Sequence, residues 1–305
     1  MKPVNPGIRV IFALLLMSSM VLPLAAAEAD KFRDVVIKTI KVSDGIYMLQ
    51  GSGGNIGVSV GEDGVLMIDD QFAPLADRIK KAIAEISEEP VRFLLNTHWH
   101  YDHTGGNESF GKHGATIVAH DNVHKRMSVD TDMAPFGPVV PASPDSALPI
   151  ITYNDRMTFR LNANEIQVFH ASNAHTDGDS VVYFVEANVM HTGDIFSHAQ
   201  YPFIDSASNG SIDGIIATVE SLLKIVNDET KIIPGHGPLV GKKELEHYHE
   251  VLVTLRSRMQ ALIDEGKSIE EIIALKPFAE YDAELGNNFL NPEAFLRVLH
   301  LNMTR

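Results

Sequence analysis

The run His98-Trp99-His100-Tyr101-Asp102-His103 limits what this chain can fold into more than any other stretch. Imidazoles at 98, 100 and 103 stand with a carboxylate at 102, directly after the apolar segment Val91–Leu95 and just before Gly105-Gly106. A short buried strand would hold the base of such a loop rigid. The glycines would let the backbone turn closely enough for several side chains to meet at one point. Imidazole nitrogen and carboxylate oxygen are donors that suit Zn2+. The run is therefore expected to bind metal.

One loop cannot enclose two metals, so further donors must come from afar. His175 lies in Ala174-His175-Thr176-Asp177-Gly178-Asp179, Asp194 in His191-Thr192-Gly193-Asp194, and His236 in Pro234-Gly235-His236-Gly237. Each sits in a glycine-containing turn, and the last two directly follow expected strands. With no cysteine in the chain, a metal site must use His and carboxylate ligands, and disulfides add nothing to stability. A metal-activated water needs no protein nucleophile, so a Ser or Cys hydrolase is disfavoured.

Taken in order, Asp69, then His98-x-His100-x-Asp102-His103, then His175, Asp194 and His236 resemble the signatures of the metallo-β-lactamase fold superfamily. The match spans roughly residues 35 to 240. The resemblance implies that His98, His100 and His175 hold one metal, that Asp102, His103 and His236 hold a second, and that Asp194 bridges them. It implies two Zn2+ ions per chain, a shared water made acidic between them, and Asp102 as the catalytic group that orients this water and passes its proton on. Asp69 would support the metal loop from behind, with its neighbour Asp70 as the competitor for that role.

Hydrophobic periodicity agrees with such a chain. Val35–Leu49, Asn55–Val60 and Val65–Ile68 are read as strands broken by glycine-containing turns, and 74–87 as a helix with Pro74 near its first turn. Met127–Pro149, with prolines at 135, 138, 141, 144 and 149, is read as a long loop, either a passive surface excursion or a lid or wall beside the site. Strands resume at 150. Helices are expected at 212–226, 242–265, after Ser268 with Glu271 as a capping box, and from about Pro292. Two halves, each a sheet covered by helices, make an α/β fold, the four-layer αββα sandwich that the resemblance implies. Residues 28–267 form this domain, and 268–305 are expected as a helical extension packed on it.

The first 27 residues read as a secretory signal peptide: Lys2 and Arg9, an apolar stretch from Val10 to Leu24, then Ala25-Ala26-Ala27. Its removal leaves 23 basic against 40 acidic residues, a balance of −17. That surface repels nucleic acid and anionic lipid. The expected setting is periplasmic or secreted, with a small-molecule substrate, no nucleic-acid partner and no stable membrane anchor after cleavage.

Export and resemblance together point to an antibiotic-resistance enzyme of β-lactamase type, opening a lactam or similar small cyclic amide or ester. Two β-lactamase subclasses carry cysteine where this chain has Asp194, and one carries a lysine where it has Ser197. Asp194 resembles instead the glyoxalase II, lactonase and general hydrolase branches, so a thioesterase or lactonase is the alternative. A mononuclear iron persulfide dioxygenase is an alternative of another class. Among the other histidines, His198 is a candidate to face substrate, His170 and His191 to pack beneath the site, and His113, His120, His124, His247, His249 and His300 to lie on the surface or on helices.

Overall fold

The computed structural model describes residues 31–134, 137 and 139–305. The leader expected over residues 1–27 lies outside the described residues.

Strands β1 (Lys38–Ser43), β2 (Ile46–Gln50), β3 (Ile56–Ser59) and β4 (Val65–Ile68) follow one another as an antiparallel meander. Strands β5 (Val91–Leu95) and β6 (Thr116–His120) then add in parallel to β4. A short pair, β7 (Thr131–Asp132) and β8 (Val139–Val140), precedes β9 (Ile151–Tyr153), which pairs in parallel with β6 and closes a seven-stranded sheet. Parallel strands are sealed on both faces, and β4 is buried along its whole length. The second sheet has five strands: β10 (Arg156–Leu161), β11 (Asn164–Ala171), β12 (Asp179–Phe184), β13 (Val189–His191) and β14 (Lys231–Ile233). Its strands are antiparallel until the last pair, β13 and β14, which run parallel.

The two sheets meet through one apolar core. Ile46, Met48, Leu66, Ile68, Leu95 and Val118 come from the first, and Ile166, Val168, Val182, Phe184 and Ile233 from the second. Alternation along β11 sends Ile166 and Val168 inward and leaves Gln167 exposed. The outer face of the second sheet is covered by helices. The crossover from β4 to β5 carries α1 (Ala76–Ala84), whose Ile79, Ala82 and Ile83 are buried at helical spacing. Pro74 sits in the 3-10 turn before it rather than in the helix. The result is the α/β four-layer sandwich, helix–sheet–sheet–helix.

Short helices α2 (Tyr101–Thr104), α3 (Asn107–Lys112) and α4 (Asp121–Met127) follow β5 and β6. Four longer or shorter helices cover the second sheet's outer side: α5 (Ile212–Leu223), α6 (Lys242–Asp264), α7 (Ile269–Leu275) and, after the brief α8 (Asp282–Leu285), α9 (Pro292–Met303). Ser268 and Glu271 form the expected capping box of α7. Asn291 caps α9, and Pro292 occupies its first turn. Ile272, Phe295, Leu296, Val298 and Leu299 from these last helices join the core that holds Val181, Met190 and Ile232. Among the described residues no helix is long and apolar enough to cross a membrane.

The described residues of the segment 127–149 carry regular structure that its composition does not suggest. Besides β7 and β8 it contains a 3-10 turn at Asp145–Ala147. Met133, Val140 and Leu148 pack against the cluster of Trp99, Ala119, Val123 and Met127, which lies behind the ligand loop. Apolar residues at these three places give the segment something to bury, and that anchors it.

Candidate metal centre

The loops that follow strand carboxyl ends carry all the candidate ligands. Asp69 follows β4, the run 98–103 follows β5, His175 follows β11, Asp194 follows β13, and His236 follows β14. Because β13 and β14 are parallel neighbours, Val189↔Lys231 to His191↔Ile233, Asp194 and His236 leave the same edge together. Open α/β sheets place ligands beyond such ends.

The structure brings all seven candidate ligands into one cluster. Three groups have donor atoms within 4.8 Å of one another: His98, His100 and His175; His98, His103 and Asp194; and Asp102, His103 and His236. Asp194 lies between the others. Its Oδ1 is 3.1 Å from His103 Nε2, and its Oδ2 is 3.3 Å from His236 Nε2 and 3.9 Å from His175 Nε2.

Hydrogen bonds at the back of the imidazoles decide which nitrogen each offers. His103 donates from Nδ1 to Asp69 Oδ2 at 2.8 Å and turns Nε2 to the cluster. His100 donates from Nε2 to Asp205 Oδ2 at 3.0 Å, so its Nδ1 faces inward. His175 donates from Nδ1 to the carbonyl of Phe203 at 2.6 Å. Thr97 Oγ1 donates to Asp69 Oδ2 at 2.7 Å, which leaves it to accept from His98 Nδ1 at 3.0 Å. The remaining nitrogen, His98 Nε2, is buried with no hydrogen-bond partner among the described residues. A buried imidazole nitrogen pays for that isolation unless a Lewis acid takes its lone pair. Outer partners that fix each ring, and an inward lone pair with nothing to meet, fit a metal centre.

Electrostatics divide the cluster into two parts. Burial, reinforced by its imidazole neighbours, pushes His98 well below the usual histidine range. Burial and then His100 push His175 down to about 4. Both are neutral donors. At the other group burial also disfavours charge, but the carboxylates outweigh it: Asp194, Asp102 and Asp69 raise His103 well above its ordinary value, and Asp194 with Asp102 raises His236 to about 10. In return, against burial, His103 and His236 draw Asp102 down to about 2 and hold Asp194 well below the carboxylate range. Protonated imidazoles against carboxylates occupy the place that a divalent cation would neutralise.

Glycine is required where the walls touch this cluster. A Cβ on Gly54 would run into the His103 ring, and one on Gly235 into Asp194 Oδ1. Asp69, not Asp70, supports the loop: it is buried, has φ 61°, and binds Thr97 and His103. Asp70 instead accepts from the Gly106 amide at 2.8 Å.

Asp205 and the Phe203 carbonyl are functional groups that sequence reasoning missed. No motif marks them, and Asp205 meets His100 across 105 positions of sequence. Thr97 was visible only as the residue before the run. His198 is not in the ligand groups; its amide donates to the His236 carbonyl at 2.9 Å, which ties its loop to the site. His191 lies beneath, bonded to the Asn55 carbonyl at 3.1 Å. His170 stacks on His120 with ring centroids 3.8 Å apart. His120 is therefore buried, not on the surface, because it ends β6 facing the second sheet's β11. Gly57-Val58-Ser59-Val60-Gly61 spells a nucleophile elbow, but Ser59 is buried within β3 and its hydroxyl accepts from Asn162 Nδ2 at 3.2 Å.

A family model described as the metallo-beta-lactamase superfamily matches residues 49–236. In sequence the chain is similar to the 2,4-dinitroanisole O-demethylase subunit alpha of Nocardioides sp. (strain JS1661), 22% identical over 223 residues, which is 72% of this chain and 63% of that one. The chain thus spans under two thirds of that relative's length. In structure it is similar to a metallo-beta-lactamase from Pontibacter korlensis, with TM-score 0.58 and 18% identity over 71% of this chain and 98% of the other. It is also similar to a stereoselective inverting sec-alkylsulfatase from Pseudomonas sp., with TM-score 0.64 and 15% identity over 90% of this chain and 51% of the other.

Proposed function

This chain belongs to the metallo-beta-lactamase superfamily, and on that premise we propose that it is an exported hydrolase working with two zinc ions, opening a lactam or similar small cyclic amide or ester. Asp194 carries the reading, since its Oδ1 lies 3.1 Å from His103 Nε2 while its Oδ2 lies 3.3 Å from His236 Nε2 and 3.9 Å from His175 Nε2, between the two groups of ligands. His98, His100 and His175 would hold one ion, Asp102, His103 and His236 the other, with Asp194 between them. A donor set of imidazole and carboxylate without thiolate suits zinc. Bound zinc supplies Lewis acidity and lowers the pKa of water held beside it.

The protein's own groups do the rest. Asp102 stays ionised at neutral pH, and its Oδ2 sits 3.3 Å from His236 Nε2 at the open side of the cluster. That oxygen orients a water for attack on an acyl carbon and receives its proton. Asp69 and Asp205 keep the His103 and His100 rings in place. Export is supported by the basic, apolar and small-residue order of residues 1–27.

Solved structures named as a metallo-beta-lactamase and an alkylsulfatase share the fold, and a subunit of an O-demethylase is similar in sequence, so the fold leaves the substrate open. A thioester or lactone is the second reading, favoured by Asp194 at a position where β-lactamase subclasses carry cysteine. Metal analysis should return two zinc per chain; one iron would overturn the dinuclear reading. Zinc-loaded protein is to be tried on nitrocefin, a penicillin, S-lactoylglutathione and a homoserine lactone. Turnover of the thioester alone would overturn the lactam assignment. Asp102→Asn should lower turnover by about 10²–10⁴-fold while circular dichroism stays that of the parent; full activity would remove Asp102 from the mechanism.

A further inference from the structure

Aromatic rings flank the ligand cluster on two sides. Phe203 places its ring 5.8 Å from His100 and 5.8 Å from His175. Phe289, from the turn before α9, meets Phe203 at 5.5 Å with the rings 77° apart, and it is 74% exposed. At the other edge Tyr101, 50% exposed, precedes Asp102 and lies 5.7 Å from Phe72. The side chains of Asp102 and His236, 27% and 28% exposed, are the most open of the seven ligands.

Charge around this opening is one-sided. The segments 50–55, 69–73, 96–107, 172–179, 192–211, 234–241 and 285–291 contain no Lys or Arg. Arg126 is committed to Asp177 at 2.7 and 2.6 Å, and Arg305, from the chain's last residue, donates to the Ser206 carbonyl at 2.7 Å. Lys243 lines a cavity of about 200 Å³ with Tyr248 and His247, on the α6 side of His198. A carboxylate resting on Phe203 and Phe289 would lose hydration, and the segments that surround the opening offer it no Lys or Arg of their own. A flat apolar ring would gain stacking and buried area.

Resting on the hydrolase reading above, we propose that Phe203 and Phe289 form the subsite for an uncharged aromatic group beside the scissile bond, so the substrates are neutral aryl esters and aryl-bearing lactones or lactams. Ligand histidines fix the reacting end; the two phenyl rings receive the far end. A carboxylate at that far end is disfavoured.

Methyl 4-acetoxybenzoate and 4-acetoxybenzoate carry the same aryl acetate and differ at the far end of the ring, a neutral methyl ester against a carboxylate. Hydrolysis of the first consumes one water, breaks the acyl C–O bond and yields acetate, a proton and methyl 4-hydroxybenzoate. With zinc-loaded protein, kcat/KM for the neutral ester should exceed that for the anion by about tenfold or more. Phe289→Ala should raise KM for the neutral ester about threefold to tenfold, and Phe289→Tyr should restore it. Calorimetry of the two product phenols should show the same order of affinity and the same loss in Phe289→Ala. Equal or better use of the anion, or no response to Phe289→Ala, overturns the subsite. Turnover without this preference leaves the hydrolase and removes the subsite. Selective phenol binding without turnover of any ester or lactam keeps the subsite and removes the hydrolase.

Discussion

His103 and His236 hold protons that a metal ion must displace. Their carboxylate neighbours raise both, His236 to about 10, so both rings are charged at pH 7 in the metal-free protein. A raised imidazole stabilises the metal-free fold fully below its unfolded value, near 6.5, and that contribution fades as pH rises through about 10. Metal needs both rings neutral. Loading at pH 7 should therefore release about two protons per chain, and affinity should climb with pH toward the value of His236. Calorimetry in buffers of different ionisation enthalpy counts the protons; a count of zero would show rings already neutral. Asp205 gives a second prediction. Asp205→Ala frees the His100 ring and should weaken metal binding roughly 10–100-fold, read by competition with a chromophoric chelator. An unchanged affinity would leave Asp205 with a packing role only. The seven ligands were legible because each is a His or Asp in a turn after an apolar run. Asp205 was not, because a lone Asp in Ile204-Asp205-Ser206 gains meaning only when the chain folds it onto His100.

Elements were legible where period and caps agree. Val91–Leu95 and the capping box at Ser268 match the structure residue for residue. The pair β7–β8 was hidden because strands of two residues carry no period, and prolines around them suggest a loop. Sheet membership was hidden too: hydrophobicity says that β4 is buried, while parallel pairing of β13 with β14 comes from tertiary contact alone. The last helix has an energetic role that its terminal position conceals. Phe295 is fully buried, stacks on Tyr201 at 4.2 Å, and shares the core of the second sheet. Phe295→Ala should cost about 3–5 kcal/mol and lower Tm by roughly 10 °C, measured by calorimetric melting of the metal-free protein. A shift under a degree would mean that α9 packs without supporting the sheet.

At the scale of the whole molecule, the ligand cluster draws on both sheets. Asp102 and His103 come from the first, Asp194 and His236 from the second, so neither sheet alone can assemble it. Metal that binds only the folded chain stabilises by mass action, about 4 kcal/mol at a thousandfold excess over Kd. Zinc should raise Tm in proportion to the logarithm of its free concentration, and a chelator should reverse the shift; a Tm indifferent to zinc would disconnect the cluster from metal. The balance of −15 in formal charge predicts that this gain is largest for cations and absent for anions such as phosphate. Trp99 gives the molecule an optical consequence of its own. It is the chain's one tryptophan, set between two ligand histidines, with Nε1 donating to Ser208 Oγ at 3.0 Å and its ring 5.1 Å from that of His100. Every photon of indole emission therefore originates at the ligand loop, and a single unlabelled lamp reports its protonation, its loading and its melting in one spectrum.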